Sequence, residues 1–497
     1  MTLVVLPVII PLFAAGVALV AQPSLALQRL IALTANAAAL GTAIALLVQV
    51  ESDGIQAQTI GGWPAGVGIT LVADLAAAMF LVVSLVVLVI VQWFAVGQGV
   101  DATEPRIGQP VYLVLSAGVA MSFLTGDLFN LFVAFEVMLI ASYVLLTLGA
   151  GAAQIRTGMT YVVINILAST LLLSTVGLIY GATGTVNMAE LVTRYSELPE
   201  ATRTALGILL LSVFAIKAAL VPFFFWLPDS YPTAPVAVTA VFAGLLTKVG
   251  VYTMIRATTI LDLDEAKGVL VLAASATMVI GVIGAIVQSD MKRILSFHII
   301  SQVGYMIMGL AVGTVAGLTG AVLYVVHHIP VKTALFLVGG LIERSTGTAA
   351  LHRLGGLVRR APIFAALFAI PALSLAGIPP FSGFLAKLAV IAAGLEAEEY
   401  LMVAASLVAS LLTIFSMSKI WAGVFWGVAD DPTPAMAAAD ANDTKLPVDR
   451  LTTVATAVLV AATLVVPIFG GTVYDLAERA ALDLLDPTNY VQAVNGS

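Results

Sequence analysis

The sequence predicts an all-α, polytopic membrane protein with fourteen transmembrane helices, and three observations support this fold class. The chain has 497 residues, of which 61% are hydrophobic and only 10% charged, whereas a soluble domain carries about 25% charged residues. Apolar segments close to the roughly 20 residues that cross a bilayer recur along the whole chain. Prolines and glycines interrupt two of these segments at membrane depth. We therefore expect one membrane domain, residues 1–497.

The expected spans follow one another through short polar connections. No basic region precedes the first span, so we interpret it as retained rather than as a cleaved signal peptide. An even number of spans places both termini on the same side of the membrane. The fourteen expected spans are 3–20, 26–50, 70–96, 108–125, 128–149, 157–182, 204–226, 235–258, 267–288, 294–313, 317–342, 361–393, 400–428 and 451–470.

Basic residues in the connections predict the orientation, because cytoplasmic loops carry an excess of lysine and arginine. One set of loops holds Arg29, Arg106, Arg156, Lys292, Arg293, Arg344, Arg353, Arg359, Arg360, Lys445 and Arg450. The opposite set holds only Arg194, Arg203, Arg256, Lys267 and Arg479. We therefore expect a multi-pass protein of the cell membrane with both termini outside.

Composition also excludes several classes of function. The chain has no cysteine, so it cannot hold thiolate-bound iron–sulfur clusters or cysteine-ligated zinc. The net charge is −7 and no long basic run occurs, which argues against nucleic-acid binding. The spans contain too few carboxylates to form a sodium-binding site of several oxygen ligands. No third ligand lies near His327 and His328 in the sequence to complete a metal site with them. We therefore expect neither a cofactor nor a metal site.

Charged residues inside the expected spans are the main functional signal, because an ionised side chain at mid-membrane costs about 2.5–3.5 kcal/mol. Asp74 and Glu136 are the acidic ones, and the basic ones are all lysines: Lys217, Lys248, Lys332, Lys387 and Lys419. A buried lysine can exist with or without its proton, whereas arginine stays charged. This choice of residue favours a proton relay.

Two spans are expected to be broken helices. Pro222 interrupts the seventh span, and Pro379 with Pro380 interrupts the twelfth, because proline removes a backbone donor and clashes with the preceding turn. Lys217 precedes the first break and Lys387 follows the second. This arrangement suggests two inverted five-helix repeats, with spans 4–8 in residues 108–258 and spans 9–13 in residues 267–428.

The relay candidates in the first repeat each have a structural alternative. Glu136 has no compensating charge nearby on its own helix, so we expect its partner to be Lys217. The alternative is a static salt bridge that orders the bundle. Lys248 has Gly244 and Tyr252 one turn away on the same face, which favours a hydrated pocket, and the alternative is a lysine that snorkels to a helix end.

In the second repeat the candidates are His328, Lys332 and Lys387. His328 and Lys332 share a helix face, and histidine titrates near neutral pH. The alternative is a hydrogen-bonded pair of core histidines, and His327 is the one we expect to be structural. Weaker candidates are His327, Asp74 and Lys419, and the last two could be packing or subunit-contact charges. His298 is expected at the membrane interface.

Three motifs resemble a known superfamily. PFFFWLPDSYPTAPVAVTAVFAGLLTK from Pro222, DMKRILSFHIISQVGYM from Asp290 and GIPPFSGFLAK from Gly377 resemble the antiporter-like subunits shared by respiratory complex I and the Mrp cation/proton antiporters. The resemblance covers nearly the whole chain. HHIPVKTALFLVGGLIERSTGT from His327 and GTVNMAELVTR from Gly184 are most similar to the D-type subunits of the Mrp-type multi-subunit Na+/H+ antiporters.

The resemblance implies a relay through Glu136, Lys217, Lys248, His328 with Lys332, and Lys387. It also implies a multi-subunit complex, with a large A-like subunit and small membrane subunits as partners, that exchanges external protons for sodium or another monovalent cation. One alternative is a pumping subunit of an NADH:quinone oxidoreductase or membrane-bound hydrogenase. Another is a secondary carrier that works without partners.

Overall fold

The computed structural model describes residues 3–63, 66–99, 106–148, 151–261, 263, 266–442 and 444–496. This part of the chain is predominantly helical, and twelve of its helices are long and apolar enough to cross a membrane. Two shorter apolar helices, Gly108–Leu124 and Pro362–Ala376, lie in the expected spans 4 and 12. The expectation of a multi-pass helical membrane protein is confirmed.

The first half of the chain contains a small hairpin as well as helices. Strands β1 (Gln56–Thr59) and β2 (Thr70–Ala73) pair antiparallel. Because β2 occupies the start of the expected span 3, Asp74 caps the following helix instead of lying within it. The helices are α1 (Leu6–Val20), α2 (Leu25–Asp53), α3 (Leu75–Gln98), α4 (Gly108–Leu124), α5 (Leu128–Thr147), α6 (Ala152–Thr183), α7 (Met188–Ser196), α8 (Glu200–Ala218), α9 (Trp226–Ser230), α10 (Val236–Val241) and α11 (Thr247–Leu261).

The second half continues with helices of more varied length. They are α12 (Lys267–Val287), α13 (Met291–Val312), α14 (Val315–Thr346), α15 (Leu357–Arg360), α16 (Pro362–Ala376), α17 (Ser382–Glu396), α18 (Tyr400–Trp421), α19 (Pro434–Ala441), α20 (Arg450–Ala462), α21 (Val465–Ile468), α22 (Gly470–Leu485) and α23 (Thr488–Asn495). One π-helical segment, Phe242–Leu246, joins α10 to α11, and another, Ala422–Trp426, ends α18.

The core of the bundle lies around α10, α11, α13 and α14. The apolar windows of these helices are 94–100% buried, whereas α2, α6 and α18 are 33–39% buried in the same measure. Central helix α14 packs against α3, α10, α13, α16, α17, α20 and α22. Since outer helices expose large apolar side chains such as Leu167 and Leu411, the buried middle is where polar side chains are screened from lipid.

Helix ends are closed by side chains that satisfy free backbone groups. Asp127 begins α5 by accepting the Asn130 backbone N–H at 2.7 Å, and Asp290 begins α13 by accepting the Arg293 backbone N–H at 3.0 Å. Beyond the last span, α22 folds back and packs on α14 and α3. The C-terminal segment therefore belongs to the packed bundle.

Candidate functional site

Basic side chains from both halves of the chain are buried in the core. Lys217 lies on α8, Lys248 on α11, His328 and Lys332 on α14, and Lys387 on α17, and each is at most 5% exposed. The sixth predicted residue, Glu136 on α5, is only half-buried. The fold thus gathers the predicted lysines and histidine in the interior and leaves the glutamate closer to the lateral surface.

The first helix break places Lys217. Helix α8 ends at Ala218, Ala219 adopts a left-handed conformation with φ 60°, and the Val221–Pro222 peptide is cis. Lys217 lies in the last helical turn, where a cation interacts favourably with the helix dipole. Its ammonium donates to the Asn165 carbonyl at 3.2 Å and to the Ser169 hydroxyl at 3.0 Å, both on α6.

The expected salt bridge between Glu136 and Lys217 is not formed among the described residues. The two groups are electrostatic neighbours, but the ammonium is bonded to α6 and lies 5.6 Å from the centre of the Phe135 ring. The Glu136 Oε1 atom is buried without a hydrogen-bond partner in the described chain. The hydrogen bonds of the Lys217 ammonium therefore go to α6, and Glu136 acts on it as a nearby charge.

Lys248 is the second residue after a π-helical segment. Its ammonium donates to the carbonyl oxygen of Ala243 at 2.5 Å, within the segment Phe242–Leu246. A side chain at Gly244 would place its Cβ 2.2 Å from the Thr333 hydroxyl, so only glycine lets this segment approach α14 so closely. The π-helical turn and the glycine together bring Lys248 against the central helix.

Lys332 and His328 face this lysine from α14 with nitrogen atoms that lack partners. The Lys332 ammonium and both ring nitrogens of His328 are buried and make no hydrogen bond within the described chain. Lys248 is an electrostatic neighbour of both residues. Unpaired buried polar groups cost about 1–3 kcal/mol each, so water is the natural partner for these nitrogens.

His298 belongs to the same group, although the sequence suggested a position at the membrane interface. It is fully buried on α13, its Nε2 lies 2.9 Å from the Ser416 hydroxyl of α18, and Lys332 and Lys387 are its charged neighbours. His298, Gln302 and Tyr305 are spaced four and three residues apart, which places them on one helix face. That polar face is the signal that could have identified His298 from the sequence.

The second helix break places Lys387. Helix α16 ends at Ala376, Gly377 has φ 85°, the Pro379–Pro380 peptide is cis, and α17 begins at Ser382. The Lys387 ammonium donates to the Ala376 carbonyl at 3.1 Å and lies 5.1 Å from the centre of the Tyr305 ring. The break therefore supplies a backbone acceptor for the buried ammonium of Lys387.

His327 connects the central helix to this break. Its Nδ1 lies 2.8 Å from the Ser382 hydroxyl, which in turn lies 2.9 Å from the Ser374 hydroxyl. Ser374 also accepts the Gly383 backbone N–H at 3.3 Å. This network fixes the His327 ring, and Lys387 is its charged neighbour.

The site therefore consists of two adjoining groups. One contains Glu136 and Lys217, and the other is a continuous set of electrostatic neighbours: Lys248, Lys332, His328, His298, His327 and Lys387. Helix α11 joins the two, because a Cβ added to Gly250 would lie 2.7 Å from the Ala218 backbone nitrogen, beside Lys217.

Asp74 and Lys419 lie outside these groups and have structural partners. Asp74 accepts the Ala77 backbone N–H at 2.9 Å and forms a buried salt bridge with Arg256. Arg256, which the sequence suggested to be a loop residue, is therefore part of the interior. Lys419 donates to the Ile286 carbonyl and to a second carbonyl at the end of α12, both at 2.7 Å, which satisfies free carbonyl groups of that helix end.

Metal ligation has no geometric basis in the part of the chain that the structure describes. No group of three or more histidine, cysteine, aspartate or glutamate side chains there is placed to hold a metal ion. The buried histidines instead lie beside lysines and hydroxyl groups, which suits proton exchange better than metal binding.

Comparison with known proteins identifies the family. A family model described as NADH:quinone oxidoreductase/Mrp antiporter, transmembrane, matches residues 125–413. A relative from Alkalihalophilus pseudofirmus, named as the D-type subunit of a Na(+)/H(+) antiporter, is 42% identical over 99% of both chains.

Two solved structures have the same fold. A chain of the Mrp complex from Dietzia sp. is 36% identical, with a TM-score of 0.91 over 100% of both chains. A chain of the membrane-bound sulfane sulfur reductase, an archaeal respiratory membrane complex, is 26% identical, with a TM-score of 0.90 over 99% of both. The segment matched by the family model contains every residue of the two groups described above, and the chain belongs to the NADH:quinone oxidoreductase/Mrp antiporter transmembrane family.

Proposed function

We propose that this chain is the proton-translocating subunit of a multi-subunit antiporter that exchanges external protons for cytoplasmic sodium or another monovalent cation. Relatives named as D-type subunits of Na(+)/H(+) antiporters, and the likeness to a chain of the Mrp complex, support this function. The partners are then the other subunits of such a complex, including a large A-like subunit and small membrane subunits. The chain acts as a transporter subunit and not as an enzyme.

The proton path runs along Glu136, Lys217, Lys248, His328 with Lys332, and Lys387. One observation carries this assignment: the Lys332 ammonium and both His328 ring nitrogens are buried without partners in the described chain, beside Lys248. Each of these groups can accept a proton on one side and release it on the other. His327, held by Ser382, keeps its ring fixed and positions the end of the path near Lys387.

The proposed helix topology is fourteen spans with two inverted repeats. The two shorter apolar helices α4 and α16 add to the twelve longer ones, with α16 and α17 forming one broken span. Spans 4–8 (residues 108–258) and spans 9–13 (residues 267–428) are the repeats. The basic loops predict that both termini lie outside.

Matching local geometry supports the repeats. Asp127 pairs with Asn187 in an isolated antiparallel bridge, and Asp290 pairs with Ala350 in another, 163 residues further on. The two breaks follow this spacing less closely, but each has a left-handed residue three positions before a proline, Ala219 in the first break and Gly377 in the second.

The spacing also relates the polar partners of the two halves. Asn165 and Ser169, which bind the Lys217 ammonium, lie 163 residues before His328 and Lys332. On α6 of the first repeat these positions carry neutral partners for a lysine, and on α14 of the second repeat they carry titratable groups. This difference is consistent with a path that continues from one repeat into the other.

The function is tested with Glu136→Ala and Lys217→Ala in the assembled complex. In everted membrane vesicles, we expect each variant to slow sodium-dependent proton movement by about 100-fold, with normal amounts of assembled complex. Lys267→Ala is the matched control, because Lys267 is 46% exposed and forms a surface ion pair with Glu399. Normal exchange in both relay variants, with normal assembly, contradicts the proposed path.

The alternative function is a pumping subunit of a respiratory oxidoreductase or hydrogenase, for which the likeness to the archaeal respiratory complex is the supporting observation. Purification of the intact complex separates the two, because flavin or iron–sulfur absorbance in the purified complex supports the oxidoreductase. A carrier that works alone is tested by reconstituting the isolated chain in liposomes, where the antiporter-complex assignment predicts no exchange.

A further inference from the structure

A row of tyrosine side chains extends from Glu136 toward one end of the bundle, and the path proposed above does not use it. Tyr143 follows Glu136 by two helical turns on α5, about 10 Å along the helix axis. Its hydroxyl oxygen is buried without a hydrogen-bond partner in the described chain. The Tyr143 ring lies edge-on to Tyr161 of α6, with 5.5 Å between ring centres.

Tyr161 is the centre of this row. Its hydroxyl lies 2.9 Å from the Ser142 hydroxyl, and its ring packs 5.5 Å from Trp226 and 6.1 Å from Phe242. Tyr231 packs against the same two rings, at 5.8 Å and 5.6 Å. These four aromatic rings form a closed box between the end of the first helix break and the π-helical segment.

Tyr231 brings the row to the end of the bundle. Its hydroxyl is also buried without a partner in the described chain, and it begins the short turn Tyr231–Thr233 between α9 and α10. At the end of that turn, the half-buried Thr233 hydroxyl lies 2.8 Å from the Thr157 hydroxyl of α6. The neighbouring Arg156 is exposed and belongs to the loops that the basic-residue rule places in the cytoplasm.

The second repeat has no such open row among the residues described. Tyr324 occupies the position 163 residues after Tyr161, but its hydroxyl donates to Gln302, and the adjacent Tyr305 hydroxyl is bonded to Ser406 and Ser410. Tyr324 is therefore bonded within the protein, as Tyr161 is to Ser142. The residue 163 positions after Tyr143 is Met306, so that position of the second repeat has no hydroxyl to leave for water. This asymmetry points to a use that belongs to the first repeat alone.

We propose that Tyr143, Tyr161 with Ser142, Tyr231 and the Thr157–Thr233 pair form the cytoplasmic access route of Glu136, through which protons leave the relay. The proposal rests on the function proposed above. A hydroxyl both donates and accepts hydrogen bonds, so each can take a proton from one neighbour while giving its own to the next. The net result is that the Glu136 carboxylic acid becomes a carboxylate, and one proton reaches bulk water at the cytoplasmic surface.

The aromatic box gives the route its selectivity. Its four rings are in contact with one another, and the described residues place no charged group among them. A hydrated sodium ion would lose its water there without carboxylate ligands to replace it, whereas a proton needs only a line of hydroxyls and single waters. The route therefore passes protons and excludes the exchanged cation.

The first test removes hydroxyls while keeping the rings. We expect Tyr143→Phe with Tyr161→Phe to slow sodium-dependent proton movement by about tenfold, since water can replace part of a hydroxyl's contribution to proton transfer. The ratio of rates in H2O and D2O should rise above that of the unmodified complex, because proton transfer along the route becomes the slow step. Tyr180→Phe is the matched control, since Tyr180 is on the same helix as Tyr161 and is 57% exposed.

If the complex with Tyr143→Phe and Tyr161→Phe has the same rate and isotope ratio as the Tyr180→Phe complex, the access route is wrong. The failure of the route is distinct from the failure of the function proposed above: if Glu136→Ala abolishes exchange while the tyrosine variants are normal, only the route is wrong. If Glu136→Ala leaves exchange intact, the relay itself is wrong.

A second test does not depend on the tyrosine variants folding. The chain contains no cysteine, so Thr233→Cys adds a single thiol at the mouth of the route. We expect a membrane-impermeant thiol reagent to stop exchange when it is added to everted vesicles, which expose the cytoplasmic face, and to have no effect on right-side-out vesicles. Thr193→Cys, exposed on α7 at the other end of α6, is the control, because the reagent should label it in right-side-out vesicles without stopping exchange.

Complete labelling of Thr233→Cys without loss of exchange overturns the route. Inhibition only from the external face overturns it as well, because the mouth would then open to the wrong side.

Discussion

The buried salt bridge between Asp74 and Arg256 can be tested for its contribution to the stability of the bundle. The side chains are 2% and 7% exposed, and the Arg256 guanidinium lies between the rings of Tyr252 and Tyr490, at 5.3 Å and 5.2 Å. It also donates to the Tyr252 hydroxyl at 3.0 Å. Asp74→Asn keeps the cap of α3, because asparagine caps as well as aspartate, and removes only the charge.

The expected cost follows from the arginine that is left unpaired. Removing one partner of a buried ion pair destabilises by about 3–5 kcal/mol, whereas replacing both with neutral groups is often close to neutral. We therefore expect Asp74→Asn and Arg256→Met each to lower the midpoint of heat-induced dissociation of the purified complex. The double variant should lie closer to the unmodified complex than either single one.

Asp483 of α22 is the group that could replace the lost charge. Burial raises the pKa of Asp483, and the nearby Asp74 raises this pKa further, so removal of the Asp74 charge favours the ionised form of Asp483. Asp74→Asn combined with Asp483→Asn removes this compensation and should lower the midpoint beyond Asp74→Asn alone.

The control is Arg479→Met, which removes a surface ion pair whose side chains are both 48% exposed. Exposed pairs contribute about 0–1 kcal/mol, so this variant should leave the midpoint nearly unchanged. Single variants at the buried pair that match the Arg479→Met complex would refute the reasoning, as would a double variant whose loss equals the sum of the two single losses.

Three further substitutions give separate outcomes. Lys387→Arg keeps the charge but removes an amine that can lose its proton, so exchange in vesicles should fall about 100-fold. The control is Lys419→Arg, at a lysine that closes a helix end, which should retain exchange. Equal rates in the two variants would contradict the relay. Gly383→Ala places a Cβ 1.8 Å from a backbone carbonyl oxygen of α16, so the assembled complex should be lost on purification. Gly177→Ala should assemble normally, because a Cβ added there has no neighbouring atom within 4 Å. Ser382→Ala removes the partner of the His327 ring and should slow exchange several-fold, in keeping with about 1 kcal/mol for one hydrogen bond; an unchanged rate would show that the ring position is immaterial.

Charge partners were the least predictable feature of the site. Lys217 was expected to bind Glu136 but bonds to Asn165 and Ser169, because α6 passes closer to the end of α8 than α5 does. His298 was expected at the interface but lies in the buried group. Each difference arises from helix packing between segments far apart in the chain, which local sequence does not encode.

Positions along the chain were more predictable. The sequence identified Lys248, Lys332 and Lys387 as intramembrane lysines, and each is buried in a central helix or beside a helix break. It also indicated interruptions at Pro222 and at Pro379 with Pro380, where α8 and α16 end within a few residues. The absence of cysteine, the apolar spans and the short connections could also be predicted from the sequence alone.

The sequence by itself determined that this protein is a helical membrane protein with titratable groups in its interior. The reason is local. A window of apolar residues must cross the bilayer as a helix, because lipid offers no hydrogen-bond partner to backbone groups, and a proline interrupts that helix at its own position. Only the tertiary structure decided which groups meet. The approach of Gly244 to Thr333, the Asp74–Arg256 pair and the box around Tyr161 depend on side chains from different helices reaching one place, and that geometry exists only once the helices have packed.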